Sequence, residues 1–278
     1  MKFKYIPFLF LIFIFVGCSS DDGTSNGGNS SEDDEDIIMP VTYANIDFSN
    51  WKVTLPVDEN NNGSPDEYQP SELINGAYRE NTSIQPYMYD DTDDVSIEFY
   101  TLPGVSTTNS SYSRTELREL INPSNAKDNW TLAEGGNMTG RLKLVDISEE
   151  DMAIHGFNSN NGPPLIKIYW KDGYIWSHKK SLVDENTSGD DLLDTSSSTW
   201  SDIKDNMGYV GFEAFDFRIT ASDARLELQL NDENPLIYED VSLEKWPFEN
   251  YYKAGNYLGS TAEGAFSKVK YYELNVTH

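Results

Sequence analysis

Apolar and polar positions alternate through much of this chain with a period of two. Arg225-Leu-Glu-Leu-Gln-Leu230 is the cleanest instance. Lys268-Val-Lys-Tyr-Tyr-Glu-Leu-Asn-Val276 reads the same way, with its apolar groups on one face. Short runs rich in β-branched and aromatic residues fall at Trp51–Leu55, Val95–Tyr100, Gly140–Val145, Leu165–Trp170 and Tyr209–Thr220, separated by Gly, Asn, Asp and Pro turns. Helical spacing never persists beyond about two turns, the best stretches being Pro70–Leu73 and Ser148–Met152. Many short strands with no strand–helix–strand rhythm predict an all-β sandwich or jelly roll. With no internal repeat and no second linker, a single domain over 44–278 is expected.

The first residues obey a different pattern. Lys2 and Lys4 precede an apolar run from Tyr5 to Val16, then Gly17 and Cys18, which is the layout of a secretory signal. A membrane-spanning helix needs ~20 apolar residues, so this run is too short to be one. Phe15-Val16-Gly17-Cys18 resembles a lipobox, with Phe where Leu is usual, and marks Cys18 for lipidation. A soluble secreted protein with a free thiol is the alternative. Residues 19–37 are Ser, Gly, Asn, Asp and Glu apart from Thr24 and Ile37, with seven acids and no bases, a composition that cannot offset the entropy of ordering. The expected organisation is a lipoprotein signal over 1–17 and a lipidated, disordered acidic linker over 18–43. Asp21 and Asp22 after the Cys resemble the export signal of surface-displayed lipoproteins, which points to the outer membrane of a Gram-negative bacterium, surface-exposed or secreted.

Composition narrows the function. The chain has 278 residues, 20 basic and 47 acidic side chains, a net charge of −27, one Cys and three His. That charge excludes a nucleic-acid binder, which needs a basic footprint. A lone Cys excludes a disulfide framework and any multi-Cys metal site, and three His argue against a His-rich metal centre. Asp58-Glu-Asn60-Asn-Asn62-Gly63 has the start of a calcium loop, but its twelfth position is Gln69 instead of a bidentate Glu, and an Asn/Gly-rich turn is the better explanation.

The densest chemistry lies in Ser111-Tyr-Ser-Arg114-Thr-Glu116-Leu-Arg118-Glu-Leu120. On a strand, Arg114, Glu116 and Arg118 project together while Thr115, Leu117 and Glu119 point away. Two guanidiniums beside a carboxylate form a bidentate receptor for an anionic oxygen ligand, although a solvated charged edge would show the same pattern. In Ala153-Ile154-His155-Gly156, alternation puts Ala153 and His155 on one face and Ile154 in the core; the imidazole is structural or catalytic. Lys167 is a charge inside an apolar strand, with Tyr169 on its face, and can simply snorkel. Tyr251-Tyr252-Lys253-Ala254-Gly255-Asn256-Tyr257 brings Tyr251, Lys253, Gly255 and Tyr257 together, the bare Gly admitting a close approach to the backbone.

Together these segments closely resemble the alginate lyases of polysaccharide lyase family seven. Arg114–Arg118, Ala153–His155 and Tyr251–Gly259 stand where that family carries Arg-Ser/Thr-Glu-Leu-Arg, Gln-Ile/Val-His and Tyr-Phe-Lys-Ala-Gly-x-Tyr-x-Gln, in the same order. Trp51-Lys-Val-Thr-Leu-Pro56 is similar to its opening strand. The resemblance implies a two-sheet jelly roll with a substrate groove on its concave sheet, and a β-elimination that cleaves a polyuronate. It implies that Arg114 neutralises the substrate carboxylate, and that His155 and Tyr257 exchange the protons. Arg118, Lys253, Glu116 and Lys167 would hold neighbouring sugars. No cofactor is required, a structural Ca²⁺ stays open, and a monomer is expected.

Two positions depart from the family. Ala153 replaces the Gln that helps hold the carboxylate, and Gly259 replaces the closing Gln, which suggests an altered uronate preference; Asn158 is a candidate substitute amide. Rival readings are a lyase for another polyuronate such as glucuronan, a silent carbohydrate-binding lipoprotein, and a jelly-roll hydrolase. The hydrolase would need a carboxylate pair, and its Glu-x-Asp-x-x-Glu signature is missing. An acidic protein also repels a polyanion at long range, so its groove cations must converge locally, within a Debye length of ~8 Å.

Overall fold

The structure, a computed structural model, describes residues 42–107, 110–148, 151–159 and 161–278, side chains of 151–158 excepted. The signal segment, Cys18 and the acidic linker up to residue 41 lie outside the described residues, as do the side chains of Ala153 and His155.

Fifteen strands are found among the described residues. The first seven are β1 (Trp51–Thr54), β2 (Glu67–Tyr68), β3 (Met88–Asp91), β4 (Ser96–Thr101), β5 (Arg114–Glu119), β6 (Gly136–Ile147) and β7 (Asp151–Ser159). They are followed by β8 (Ile166–Lys171), β9 (Tyr174–Leu182), β10 (Trp200–Tyr209), β11 (Phe215–Ser222), β12 (Arg225–Leu230), β13 (Leu236–Glu239), β14 (Asn250–Leu258) and β15 (Ser267–Thr277). They pair into an eight-stranded sheet, β10-β9-β8-β7-β14-β5-β1-β2, and a seven-stranded sheet, β13-β12-β11-β6-β15-β4-β3. Every ladder is antiparallel. One short helix, α1 (Val241–Glu244), is capped by the Asp240 carboxylate, which accepts from the Ser242 and Leu243 N–H groups. The result is the expected two-sheet jelly roll.

Alternation explains the layers. Arg225–Leu230 buries Leu226, Leu228 and Leu230 and leaves its polar positions half-exposed. Val53, Leu117, Ile168 and Ala254 of one sheet and Phe99, Leu142, Ile219 and Leu228 of the other are at most 1% exposed. At ~1.5–3 kcal/mol for each large apolar side chain removed from water, this inner layer is the main stabilising contribution.

Four local readings change. Lys268–Val276 does not keep one apolar face: a register shift between Tyr271 and Glu273 resets the parity, so Val269, Tyr271 and then Leu274 turn inward. Tyr209–Thr220 is broken by a turn in which the N–H groups of Val210 and Gly211 donate to the Gly173 carbonyl, at 2.8 and 2.9 Å, with Gly211 at φ 58°. Of the helical candidates, Pro70–Glu72 is a 3-10 turn, whereas Asp151 and Met152 open β7. The ten residues of β10 escaped the sequence reading because this is a sheet edge, rich in polar groups that cannot mark a buried face.

Behind β14 the two sheets are stitched by polar side chains. Asn256 is fully buried and donates through Nδ2 to the carbonyls of Phe99 (2.9 Å) and Ser267 (2.8 Å), while its Oδ1 accepts from Ser267 Oγ (2.6 Å). Thr115 Oγ1 donates to the Tyr100 carbonyl at 2.6 Å, tying β5 to the same region. These satisfied groups fix the depth and register of the two strands that carry most of the candidate chemistry.

Candidate active site

β5 obeys its predicted faces. Thr115, Leu117 and Glu119 turn into the sandwich, and Arg114, Glu116 and Arg118 turn to the outer side of the eight-stranded sheet, where all three line one cleft. The charged-edge reading fails, because β5 lies between β14 and β1 and Arg114 and Glu116 are 8% and 9% exposed.

Arg114 is poorly satisfied for so buried a guanidinium. Its Nη2 lies 3.5 Å from both Thr107 Oγ1 and the Tyr112 carbonyl, Nη1 lies 3.6 Å from Glu116 Oε2, and Nε has no hydrogen-bond partner. A buried donor without an acceptor is costly. A carboxylate entering the cleft would relieve that cost through charge-assisted bonds. Glu116 is held differently: Lys253 Nζ donates to its Oε2. The carboxylate expected to touch sugar lines the cleft and is also the shared counter-charge of Arg114 and Lys253. Arg118 is anchored by the Ala126 carbonyl (2.8 Å) and Asn129 Oδ1 (3.2 Å), and its guanidinium stacks over the Tyr251 ring at 4.0 Å.

β14 alternates as read. Tyr252, Ala254, Asn256 and Leu258 are buried, and Tyr251, Lys253 and Tyr257 face the cleft. Tyr257 is registered against Arg114, whose guanidinium lies 4.5 Å from the ring centroid, and its hydroxyl is 2.6 Å from Ser110 Oγ. Gly255 has φ 124°, and a Cβ there would meet Thr115 O at 2.6 Å, so the close approach it permits is that of β5. Its N–H donates to the Tyr271 hydroxyl at 2.9 Å. Burial pushes the Tyr271 phenol far above its ordinary value and keeps it neutral beneath the site.

β7 lies on the other side of β14. Ala153 pairs with Tyr257 and Tyr169, and His155 pairs with Ala254 and Ile168, but both ladders shift register within this stretch. The side chains of Ala153, Ile154 and His155, on which the reading of their faces rests, lie outside the described residues. Asn158 registers with Tyr251, six positions along β14 from Tyr257, so it is too distant to replace the amide missing at Ala153. Gly259 lies in a bend just past β14, outside the alternation that was to place it beside Tyr257.

The cleft is about 890 Å³ and reaches from Lys52, Thr54 and Glu67 on one flank to Pro163, Lys167 and Thr195 on the other. One transverse register row crosses it: Lys52, Arg118, Lys253, Gly156 and Lys167, each opposite the next on five adjacent strands. Lys167 thus belongs with the arginines and Lys253, and the convergence of cations demanded by the acidic composition is met. Sequence reasoning missed Ser110, Thr107 and Tyr112, which sit in a Ser/Thr-rich stretch without a pattern, and the Lys52–Glu67 pair (2.6 Å) on the cleft rim. Thr195, in the stretch between β9 and β10, adds a wall to the cleft.

The calcium-like loop closes on its own donors. Asp58 accepts from the N–H groups of Asn62 (2.9 Å) and Gly63 (2.7 Å), and Asp66 from those of Glu59 (2.9 Å) and the Asn60 side chain (2.7 Å). Gln69 caps the following 3-10 turn. Among the described residues no cluster of three or more His, Cys, Asp or Glu is arranged to hold a metal ion.

Comparison with known proteins fits this geometry. The sequence profile of a family described as alginate lyase matches residues 46–278. The chain belongs to that family. An alginate lyase of Klebsiella pneumoniae is 23% identical over 294 residues, covering 86% of this chain and 92% of its own. Among solved structures, alginate lyase A1-II′, a member of polysaccharide lyase family 7, superposes with a TM-score of 0.68 at 27% identity, covering 84% of this chain and 96% of its own. A variant of the same enzyme in complex with the product GGG gives 0.68 at 26% identity, covering 85% and 100%.

Proposed function

We propose that this protein cleaves alginate by β-elimination. A base removes the proton from C5 of a uronate, the electron pair forms a C4–C5 double bond, and the C4–oxygen bond breaks. An acid returns a proton to the leaving oxygen, so one chain gains an unsaturated end and the other a hydroxyl. The C5 proton is only weakly acidic while the adjacent carboxylate is charged, so that charge must be neutralised as the enediolate-like state develops. The observation that carries the proposal is the buried Arg114 guanidinium, with its unpaired Nε, stacked against Tyr257. Arg114 takes the carboxylate. Tyr257, its hydroxyl set by Ser110, is the acid for the leaving oxygen, and His155 on the adjacent strand is its partner in proton exchange. Arg118, Lys253 and Lys167 bind flanking sugars, and Glu116 keeps Lys253 and Arg114 in place.

A hydrolase is not supported by the same cleft. Its lining carboxylates among the described residues are Glu67 and Glu116, each ion-paired with a lysine, and neither is free to serve as an acid/base pair. The test is product analysis on defined polyuronates. Unsaturated products, seen by ultraviolet absorbance and lost in Arg114→Ala and Tyr257→Phe, are expected; saturated products or binding without cleavage would overturn the reading. Ala153 supports a shifted preference among mannuronate, guluronate and glucuronate, and Ala153→Gln should move it. The N-terminal sequence supports lipid anchoring at Cys18 on the outer membrane. Cys18→Ala should then release the protein into the soluble fraction; unchanged membrane association would refute the anchor.

A further inference from the structure

β14 carries one residue more than the strand beside it. Ala254 pairs with His155 and Tyr257 with Ala153, so three steps along β14 match two along β7. Against β5, on its other side, the register runs unbroken from Lys253 and Arg118 to Tyr257 and Arg114. The extra residue is a β-bulge, and it lies between the positions that face His155 and Ala153. A bulge bends its strand and re-aims the side chains beyond it, and here the next residue is Tyr257. It also strips backbone groups of their ladder partners, and buried ones must find others. The seven-stranded sheet supplies them. The Tyr271 hydroxyl, on β15, accepts from the Gly255 N–H at 2.9 Å and donates to the Gly255 carbonyl at 3.4 Å. Thr101 Oγ1, at the end of β4, donates to the Asn256 carbonyl at 3.2 Å and accepts from the Thr115 N–H at 2.9 Å. Tyr271 and Thr101 are fully buried, and neither is among the residues that line the cleft. An edge-on contact with Phe99, ring centroids 5.4 Å apart, fixes the Tyr271 ring.

We infer that Tyr271 and Thr101 are positioning residues for the elimination: from the opposite sheet they hold the β14 bulge in the shape that sets Tyr257 against β7, the strand of His155. The inference rests on the lyase reading for the roles of Tyr257 and His155. The Asn256 side chain fixes the depth of the strand, whereas these two hydroxyls hold the backbone of the bulge itself. Without them the extra residue relaxes along β14 and turns the Tyr257 phenol away from Ser110 and Arg114. A shift of about 1 Å at a reacting group costs up to about 100-fold in rate, while sugar contacts elsewhere in the cleft persist. The effect therefore falls on turnover and not on substrate affinity.

The experiment compares Tyr271→Phe and Thr101→Val, each of which removes a hydroxyl with little change of shape, in the full chain. Tyr238→Phe is the control, because its buried phenol donates to Asp205 at 2.8 Å, on the β10 edge of the sandwich. Steady-state kinetics on alginate are measured well below each melt, together with hydrogen exchange at the Gly255 amide. In Tyr271→Phe and Thr101→Val, kcat is expected to fall about tenfold with KM within about twofold of the parent. Gly255 exchange should quicken in Tyr271→Phe, and Tyr238→Phe should keep the parent kcat. Each positioning residue is judged by its own variant: an unchanged kcat, or a rise in KM alone, removes it. An equal fall of kcat in Tyr238→Phe overturns the inference, since any lost buried hydroxyl would then do the same. Absence of unsaturated product from the unsubstituted protein would instead defeat the lyase reading. The hold on the bulge is then read from exchange alone, a faster Gly255 amide in Tyr271→Phe supporting it and an unchanged one refuting it.

Discussion

The Arg114 guanidinium stacks 4.5 Å from the centroid of the Tyr257 ring, on neighbouring strands whose register places the two residues directly opposite. This couples the group proposed to neutralise the substrate to the group proposed to handle its proton. Arg114→Lys keeps a charge but loses the planar fork. Turnover is expected to fall about 100-fold or more, with an unchanged circular dichroism spectrum. Near-normal turnover in the lysine variant would show that a point charge suffices.

Ser110 sets the other end of the same phenol, through its 2.6 Å bond to the Tyr257 hydroxyl. Ser110→Ala should lower kcat by about tenfold with little change in KM, because the bond orients a reacting group and not the sugar. Steady-state kinetics decide it. A rise in KM alone would assign Ser110 to substrate binding.

Glu116 is a buried carboxylate between two cations. Glu116→Gln leaves Lys253 and Arg114 without their counter-charge, and should cost about 1–3 kcal/mol in urea denaturation. KM should change too, since Lys253 loses its anchor. If stability is unaltered, the ion pair contributes nothing net.

Asn256 joins β14 to the opposite sheet. Asn256→Ala strands the carbonyls of Phe99 and Ser267 and the Ser267 hydroxyl, and an expected loss of about 2–4 kcal/mol follows. A thermal melt reads it directly. Loss of activity should track loss of alignment of Tyr257, so activity measured well below the melt would also fall.

His278 closes the last strand onto Glu119. Burial pushes the imidazole down, but the hydrogen bonds its ring N–H groups donate to Glu119 (2.7 Å) and to the Gly135 carbonyl (2.9 Å) outweigh it, and its pKa is raised above 6.5. A raised folded value stabilises when the imidazole is charged. The contribution is complete below the ordinary value and fades as pH rises through the folded one. The stability gap between the natural chain and His278→Gln, measured by urea midpoint across pH, should therefore narrow toward alkaline conditions. A gap independent of pH would deny the charged pair.

The sequence alone determined the all-β class, the faces of β5 and β14, and the grouping of Arg114, Glu116 and Arg118 and of Tyr251, Lys253 and Tyr257. Strand alternation is a local rule, and these strands obey it without interruption. It misjudged Lys268–Val276 because a register shift there breaks the period, and such shifts are set by partner strands far along the chain. Only tertiary structure brought Ser110 to Tyr257 and His278 to Glu119, and made Glu116 the shared counter-charge of Arg114 and Lys253. It also aligned Lys52, Arg118, Lys253, Lys167 and Lys204 into one row, since antiparallel pairing joins residues that no period in the sequence connects.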